Sequence, residues 1–322
     1  WRTAVVPGVE IEQRVSPLNR VGCYVPAGRY PLPSSLLMTA IPAQVAGVTE
    51  TIVMCPRPDP TVLAAAAIAN VTRLFRLGGA QAIAALAYGT GTIPKVDKIV
   101  GPGNRWVQGG KLLAMMGGTA IDMVAGPTEV LVIADESASP DLICSDLISQ
   151  AEHGSDSRAI LVSTSSIIVE QVTQLIWNKI EDLPRREYAE AALKDSFSVL
   201  TESLEAAFEF ANRYAPEHLV LHLEAPGDWV EEVQSAGSVF LGAWSPEVAG
   251  DYASGTNHTL PTSGLARAYS GVSLDTFVKK ITFQELTQQG LQELAPILET
   301  MADLEGLEGH RRAVRARLEK GN

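Results

Sequence analysis

The chain alternates between short runs of apolar, often β-branched residues and longer stretches with helical periodicity. The short runs predict strands at 21–25, 51–54, 98–100, 130–134, 160–163, 198–201, 219–223 and 238–241. The intervening stretches predict helices at 34–46, 60–71, 80–87, 105–116, 140–153, 167–180, 204–214 and 229–235. Repeated strand–helix alternation is typical of parallel sheets covered by helices on both faces. We therefore expect an α/β fold.

The alternation pauses at a Gly-Pro-Thr turn at 126–128 and then restarts, which predicts two α/β units. We expect the first unit at 25–128 and the second at 129–275, with 1–24 as an N-terminal segment that joins the second unit. From 276 to 322 the pattern predicts a helical tail, although 277–282 also fits a strand. Such a tail packs on its own subunit or on a partner, and the pattern alone favours neither.

Composition excludes several classes of protein. The content of 46% hydrophobic and 19% charged residues is that of a globular chain, which argues against wholesale disorder. A formal charge of −12 disfavours nucleic acid as a partner, and the absence of a long apolar run predicts no membrane span. Three widely spaced cysteines predict neither a disulfide framework nor a metal cluster. We expect a cytoplasmic protein, with an organellar location after removal of a targeting segment as the alternative.

Three glycine-containing turns follow predicted strands and are candidates for cofactor binding. They are YVPAG at 24–28, GGAQ at 78–81 and GPGN at 101–104. Nucleotides bind at the carboxyl ends of strands in open α/β sheets, and helix N-termini attract anions. GPGN lacks the third glycine of a dinucleotide fingerprint, and GGKL at 109–112 lacks the Ser/Thr of a P-loop. A plain strand-to-helix turn therefore remains the alternative.

Two pairs of polar residues stand at junctions between elements. Gln150 and His153 are three apart on one helix face, a spacing that can hold Zn²⁺ or a similar cation. The alternative is a helix C-cap that ends at Gly154. Glu217 and His218 offer an acid and a base between a helix and a strand. The alternative there is a surface carboxylate beside a half-buried imidazole.

Two further segments carry candidate ligands. The stretch at 249–261 is rich in Gly, Ser, Thr and Asn, and we expect a long functional loop that presents Asp251 and His258. Glu305 and His310 lie in the tail, where solvated charges are the local alternative. His222 lies in the middle of an apolar strand, so we expect it to be structural.

Together these segments resemble the histidinol dehydrogenase family. The matching segments run in order along the chain and comprise YVPAG at 24–28, GGAQA at 78–82, KVDKIVGPGN at 95–104, AGPTEVLV at 125–132, SQAEHG at 149–154, YAPEH at 214–218, the stretch from WSP at 244–246 to NH at 257–258, and the tail from 305 to HRRAV at 310–314. Two features depart from the family pattern. Family members usually carry an extra N-terminal segment ahead of this chain's first residue, and Thr128 stands where serine is commoner.

The resemblance implies a role for each matching residue. The implied zinc ligands are Gln150, His153, Asp251 and His310, with His310 supplied by the other subunit of a homodimer. The implied acid–base pair is Glu217 and His218. The implied substrate contacts are Thr128, His258 and Glu305, together with His218 and the four zinc ligands. The implied NAD contacts are Tyr24, Gln81 and Asn104. The implied fold consists of two incomplete Rossmann-like parallel-sheet units and a helical C-terminal tail.

The resemblance also implies the reaction, which is the oxidation of L-histidinol to L-histidine through L-histidinal with two NAD⁺, the last step of histidine biosynthesis. One alternative is a zinc-dependent alcohol dehydrogenase of the same superfamily with a substrate that lacks imidazole. A second is a zinc hydrolase in which the same ligands and a neighbouring glutamate activate water. A third is a shortened paralogue without activity.

Overall fold

The structure is a computed structural model that describes residues 1–27 and 30–319. Gly28, the last residue of the first turn motif, lies outside the described residues. The strands are β1 (Arg2–Val6), β2 (Val9–Pro17), β3 (Arg20–Tyr24), β4 (Glu50–Met54), β5 (Arg73–Phe75), β6 (Lys98–Val100), β7 (Ala120–Ile121), β8 (Glu129–Ala134), β9 (Arg158–Ser163), β10 (Phe197–Leu200), β11 (His218–His222), β12 (Ser238–Leu241) and β13 (Val278–Leu286).

The α-helices follow the strands in the expected alternation. They are α1 (Pro33–Val45), α2 (Pro60–Ile68), α3 (Gly79–Tyr88), α4 (Arg105–Met116), α5 (Pro140–Ala151), α6 (Ser166–Lys179), α7 (Arg186–Lys194), α8 (Leu204–Tyr214), α9 (Glu247–Tyr252), α10 (Gln288–Leu304) and α11 (Glu308–Glu319). Short 3₁₀ helices occupy Pro226–Glu232, Leu265–Arg267 and Leu274–Phe277. The chain forms two compact units, Leu18–Phe277 and a smaller unit of Trp1–Pro17 with the described residues from Val278 onward.

The larger unit contains two five-stranded sheets in which every pairing is parallel. The first has the order β5-β4-β3-β6-β7, and the second has the order β10-β9-β8-β11-β12. In each sheet the earliest strand lies in the centre, and successive strands are added first on one side and then on the other. The order in which strands are added reverses at the centre of each sheet. After β5 the chain returns to place β6 on the other side of β3, and after β10 it returns to place β11 on the other side of β8. Such reversal points are where open α/β sheets leave crevices.

The central strands of both sheets are buried on two faces, because helices cover each side. Every residue of β8 is buried, which explains why this strand is an almost unbroken apolar run. The single charged residue in it is Glu129, at its amino end. The expected α/β class, with parallel sheets and a helical C-terminal region, is confirmed. The three cysteines are buried and free.

One expected boundary is wrong. We expected residues 1–24 to join the second α/β unit, but β3 pairs with β4 and β6 in the centre of the first sheet. β1 and β2 instead belong to the smaller unit, where β2 pairs with β13 along nine residues of each strand. The pairing joins residues more than 260 positions apart, from Val278 opposite Pro17 to Leu286 opposite Val9. No local pattern in the chain specifies such a partner.

The smaller unit consists of the antiparallel sheet β1-β2-β13 followed by α10 and α11. The expected helical tail therefore begins with a nine-residue strand. Arg315 of α11 donates two hydrogen bonds to Glu299 of α10, at 3.0 and 2.6 Å, and so joins the two helices. In the described part of the chain, no helix combines the length and the apolar composition that crossing a membrane requires.

Candidate active site

Acid–base side chains meet at the amino ends of β8 and β11. The parallel register pairs His218 with Val130, so Glu217 lies beside Glu129 at the head of the neighbouring strand. The Glu217 carboxylate accepts hydrogen bonds from the Thr128 hydroxyl at 2.5 Å and from the Glu129 backbone N–H at 2.9 Å. Burial nevertheless raises the pKa of Glu217 well above its usual value. A carboxyl group with a raised pKa is a stronger base than a solvated one.

His218 is almost completely buried beside this carboxylate. Its Nδ1 lies 3.3 Å from the backbone carbonyl oxygen of Glu129 and 3.8 Å from Oε2 of Glu217. Because a carbonyl only accepts, Nδ1 must carry the proton, and Nε2 keeps a free lone pair. Burial, together with the nearby imidazoles of His153 and His258, lowers the pKa of His218 to about 3. His218 is therefore neutral at physiological pH and can accept a proton.

Helix α9 adds two carboxylates to the same place. Glu247 and Asp251 are four residues apart on one helix face, and both are buried. One ligand atom from each of these two and one from His218 all lie within 4.8 Å of one another. Burial and the neighbouring Asp251 raise the pKa of Glu247 to about 8. Closely spaced donors of this kind are what a bound cation requires.

Glu247 lies between His218 and the end of α5. Its Oε1 is 3.5 Å from Nδ1 of His218, and its Oε2 accepts a hydrogen bond from the Ser149 hydroxyl at 3.3 Å. Oε1 is buried and makes no hydrogen bond to any residue that the structure describes. Glu247 thus connects the base at the head of β11 to the helix that carries Gln150.

Gln150 lies in the last turn of α5, and His153 lies two residues beyond its end, whereas the sequence predicts a helix through 153. Gln150 is fully buried, and neither atom of its amide has a hydrogen-bond partner within 1–27 and 30–319. Leaving a buried amide without hydrogen bonds costs about 1–3 kcal/mol of stability. The amide oxygen is therefore suited to bind a ligand. Nδ1 of His153 lies 2.9 Å from the Ser149 carbonyl oxygen, which leaves Nε2 available. His153 follows the helix in a turn, in which its backbone N–H donates to the carbonyl oxygen of Gln150 at 3.3 Å.

Asp251 completes this donor set. Burial raises its pKa, whereas the imidazoles of His258 and His153 lower it, so all three groups lie close enough for their charges to interact. Nδ1 of His258 lies 3.0 Å from the backbone oxygen of Asp251. An amide oxygen, an imidazole nitrogen and a carboxylate oxygen suit Zn²⁺ or a similar divalent cation. The residues present therefore fit a metal site.

The stretch at 249–261 differs from the expected continuous loop. Its first residues belong to α9, which ends at Tyr252, and only the remainder is irregular. The helix is short and rich in residues that disfavour helices, so the local sequence does not predict it. It forms because its inner face, with Glu247 and Asp251, is buried.

The three candidate cofactor residues lie at the carboxyl edge of the first sheet. Tyr24 ends β3, and its hydroxyl accepts a hydrogen bond from the Gly79 N–H at 3.1 Å. Gln81 is exposed in the first turn of α3. Asn104 is the N-cap of α4, and its Oδ1 accepts from the N–H groups of Trp106 and Val107 at 3.1 and 3.2 Å. The three turns thus converge where helix N-termini favour a phosphate.

The remaining candidates are distributed as follows. Glu305 is the C-cap of α10, and His310 is exposed in the first turn of α11, both in the smaller unit. His222 is buried and its Nε2 lies 2.8 Å from a carboxylate oxygen of Asp146, in agreement with the expected structural role.

Sequence reasoning missed two site residues, Glu129 and Glu247. Glu129 is the only charged residue in an otherwise apolar, fully buried strand, and that pattern was a usable signal. Its carboxylate accepts from the Tyr214 hydroxyl at 2.8 Å and from the Ser263 N–H at 2.9 Å. Glu247 carries the four-residue spacing to Asp251, but this spacing has meaning only once α9 is known to be helical.

The fold is shared with other solved structures. Several aldehyde dehydrogenases share the fold, such as a putative aldehyde dehydrogenase from Anabaena variabilis with a TM-score of 0.57 at 15% identity over 89% of this chain and 76% of that one. At this identity the likeness concerns the fold alone. The architecture they share with this chain is one of parallel α/β sheets.

The family follows from closer matches. A family model described as histidinol dehydrogenase matches residues 1–318. Histidinol dehydrogenases from Vibrio cholerae and Bacteroides fragilis are 49% and 50% identical over 99% and 97% of this chain and over 75% and 74% of their own lengths. A crystal structure of histidinol dehydrogenase from Elizabethkingia anophelis has a TM-score of 0.96 at 46% identity, covering 99% of this chain and 75% of that one. The chain belongs to the histidinol dehydrogenase family and is an oxidoreductase, as its motifs predict.

The bond between Tyr214 and Glu129 gives the first testable prediction. In Tyr214→Phe the buried carboxylate loses a donor, so the free energy of unfolding should fall by about 1–3 kcal/mol. Urea denaturation followed by circular dichroism measures the change. Tyr269→Phe is the matched control, because Tyr269 is half exposed, and it should change stability by less than about 0.5 kcal/mol. Equal effects of the two substitutions would contradict the role given to this hydrogen bond.

Proposed function

We propose that the protein catalyses the zinc-dependent oxidation of L-histidinol to L-histidine through L-histidinal, with two NAD⁺ consumed in each cycle. The observation that carries the proposal is the unpartnered, buried amide of Gln150, which lies in the last turn of α5, three residues before His153, and close to the acid–base residues at the head of β11. Membership of the family supports the choice of histidinol over a substrate without imidazole and over hydrolysis.

His218 serves as the base of the first oxidation. Its Nδ1 proton is held toward the Glu129 carbonyl, so Nε2 accepts the proton of the substrate hydroxyl as hydride leaves the carbon. Burial keeps the imidazole neutral beforehand, and the neighbouring Glu217 and Glu247 carboxyl groups can stabilise the imidazolium that forms.

Glu217 serves as the base of the second oxidation. Its carboxylate takes a proton from the water that attacks the aldehyde carbon, and the resulting hydrate loses the second hydride to give the acid. The raised pKa of Glu217 suits this role, because a carboxylate with a raised pKa binds a proton more strongly than a solvated one. The Thr128 hydroxyl orients the carboxylate through its hydrogen bond, so threonine keeps the function of the commoner serine.

Zinc would be held by Gln150, His153 and Asp251 together with His310 of the partner subunit, and when bound it supplies a fixed anchor for the amine and imidazole nitrogens of histidinol. His258 and Glu305 complete the proposed substrate contacts. The hydrogen bond that Nδ1 of His258 donates to the backbone oxygen of Asp251 fixes the orientation of that imidazole.

NAD⁺ would bind at the carboxyl edge of the first sheet and accept the hydride. The residues proposed to contact it are Tyr24, Gln81 and Asn104, which lie on three turns that follow parallel strands of one sheet. The chain's contribution there is to present backbone N–H groups and two helix N-termini to the phosphates.

A second copy of the chain is the proposed partner. Helix α10 and the turn after it expose large apolar side chains, namely Ile297, Met301, Leu304 and Leu307. An exposed apolar surface of this kind marks an interface. We propose a homodimer in which the segment after residue 276 provides the contact and each zinc site receives the partner's His310.

The reaction itself is tested by product analysis. With L-histidinol, about two NADH should form for each substrate consumed, since each two-electron step reduces one NAD⁺, and histidine should be the product. A chelator should abolish the reaction, and added Zn²⁺ should restore it. Absorbance at 340 nm and chromatography measure the two products. One NADH per substrate with free histidinal would contradict the two-step assignment.

Two substitutions separate the steps. His218→Asn should slow alcohol oxidation by about 10²–10⁴-fold, because positioned bases contribute that much, and Glu217→Gln should slow aldehyde oxidation more than alcohol oxidation. Stopped-flow measurements with histidinol and with histidinal as separate substrates distinguish the two. If each substitution slowed both steps equally, the division of roles would be wrong.

Subunit mixing tests the origin of His310. His310→Ala and a Gln150→Ala/His153→Ala protein should each be inactive, but a mixture should recover activity. In the mixed dimer one zinc site carries both defects and the other carries neither. Activity and zinc content after mixing are the measurements, with subunit exchange verified by mass spectrometry. No recovery despite exchange would show that His310 serves its own subunit or binds no metal.

A further inference from the structure

A charged pair is buried beneath the third candidate cofactor turn. The side chain of Lys111, in α4, has 0% exposure, and that of Asp122 has 1%. The ammonium of Lys111 donates to the Asp122 carboxylate and, at 3.1 Å, to the carbonyl oxygen of Gly101. Removing both charges from water is costly, and apolar side chains of similar volume are often as stable. The pair therefore requires a reason beyond stability.

The contacts of the pair converge on one residue of the backbone. Asp122 accepts a hydrogen bond from the Gly101 N–H at 2.8 Å, while Lys111 donates to the Gly101 carbonyl. A single ion pair thus holds both polar groups of Gly101. The second oxygen of Asp122 also accepts from the Met123 N–H at 2.6 Å, which fixes the carboxylate itself.

Gly101 needs such support because its conformation is unusual. Its φ is +111°, a value that residues other than glycine rarely adopt, and an added Cβ would lie 2.2 Å from the carbonyl oxygen of Tyr24. The residue begins the GPGN turn and sets the direction in which the chain approaches Asn104 and α4. It also packs against the backbone of Tyr24, which belongs to another of the three turns.

A second buried side chain of α4 holds the same turn further along. Gln108, three residues before Lys111 on the inner face of the helix, donates to the Gly103 carbonyl at 3.3 Å and accepts from the Ala125 N–H at 3.2 Å. The turn is therefore held at Gly101 by the ion pair and at Gly103 by the amide. Both contacts come from side chains on the buried face of α4.

We propose that Lys111 and Asp122 are positioning residues that hold the turn at 101–104 in the conformation that receives NAD⁺. This inference rests on the proposed cofactor site at the carboxyl edge of the first sheet. The pair touches neither substrate nor cofactor, and it acts through the peptide groups of Gly101. Its loss should weaken dinucleotide binding while the chemistry at the head of β11 is retained.

The test compares Lys111→Met and Asp122→Asn with the wild-type enzyme. Hydrogen bonds to charged groups are worth a factor of about ten or more, so the Kd for NADH and the KM for NAD⁺ should rise about tenfold. The KM for histidinol and kcat at saturating NAD⁺ should change less than about twofold. NADH fluorescence titration measures binding without turnover. In the protein without cofactor, hydrogen exchange of the peptide at 98–104 should accelerate about tenfold.

Arg20→Met is the matched control. Arg20 forms an ion pair with Glu50 at the amino edge of the same sheet, away from the three turns. This variant should lose thermal stability but keep the wild-type Kd for NADH. If Arg20→Met weakened NADH binding as much as Lys111→Met, the effect would be general destabilisation and the proposal would be overturned.

Two further variants separate this proposal from the cofactor site on which it rests. Gln81→Ala and Asn104→Ala should raise the Kd for NADH and leave zinc content unchanged. If neither does, the cofactor site is misplaced and the proposal falls with it. If both do while Lys111→Met and Asp122→Asn keep wild-type binding, the cofactor site stands and the positioning role is overturned. Should Lys111→Met fail to fold, Asp122→Asn, which keeps the size of the side chain, decides the question.

Discussion

The pairing of β8 with β11 is the constraint on which the proposed chemistry depends. The register of this pair places Glu129, Glu217 and His218 together at the heads of two buried strands, where water is excluded. Each buried group then needs a partner, which Thr128, Tyr214 and two backbone groups supply. Burial also favours the neutral form of each group. It raises the pKa values of the Glu129 and Glu217 carboxyl groups and lowers the pKa of the His218 imidazole.

The two sheets share one strand order but use opposite edges. In the first sheet the candidate cofactor residues follow the carboxyl ends of the strands, as in other open α/β proteins. In the second sheet Glu217 and His218 stand at the amino ends, and the carboxyl ends carry none of the proposed site residues. A repeated topology therefore does not imply a repeated site, because side chains at the heads of strands can be buried as effectively as those at the tails.

Much of the secondary structure could be predicted from the sequence, since it depends on local interactions. Helix α4 begins and ends where predicted, because Asn104 caps its first turn and glycine follows its last. Strands β6 and β12 also match, since apolar runs between turn residues define them. The family and its order of motifs were likewise predictable, as was the buried structural role of His222.

Tertiary structure decided what depends on distant partners. β2 pairs with β13 from the far end of the chain, and α9 is helical because its carboxylate face is buried. The isolation of the Gln150 amide and the approach of Glu247 to His218 emerge only when α5, α9 and β11 meet. The sequence determined which groups are available, through local propensity and residue type. Folding decided which of these groups lie together in a site shielded from water, because burial and hydrogen-bond partners depend on the packing of the whole chain.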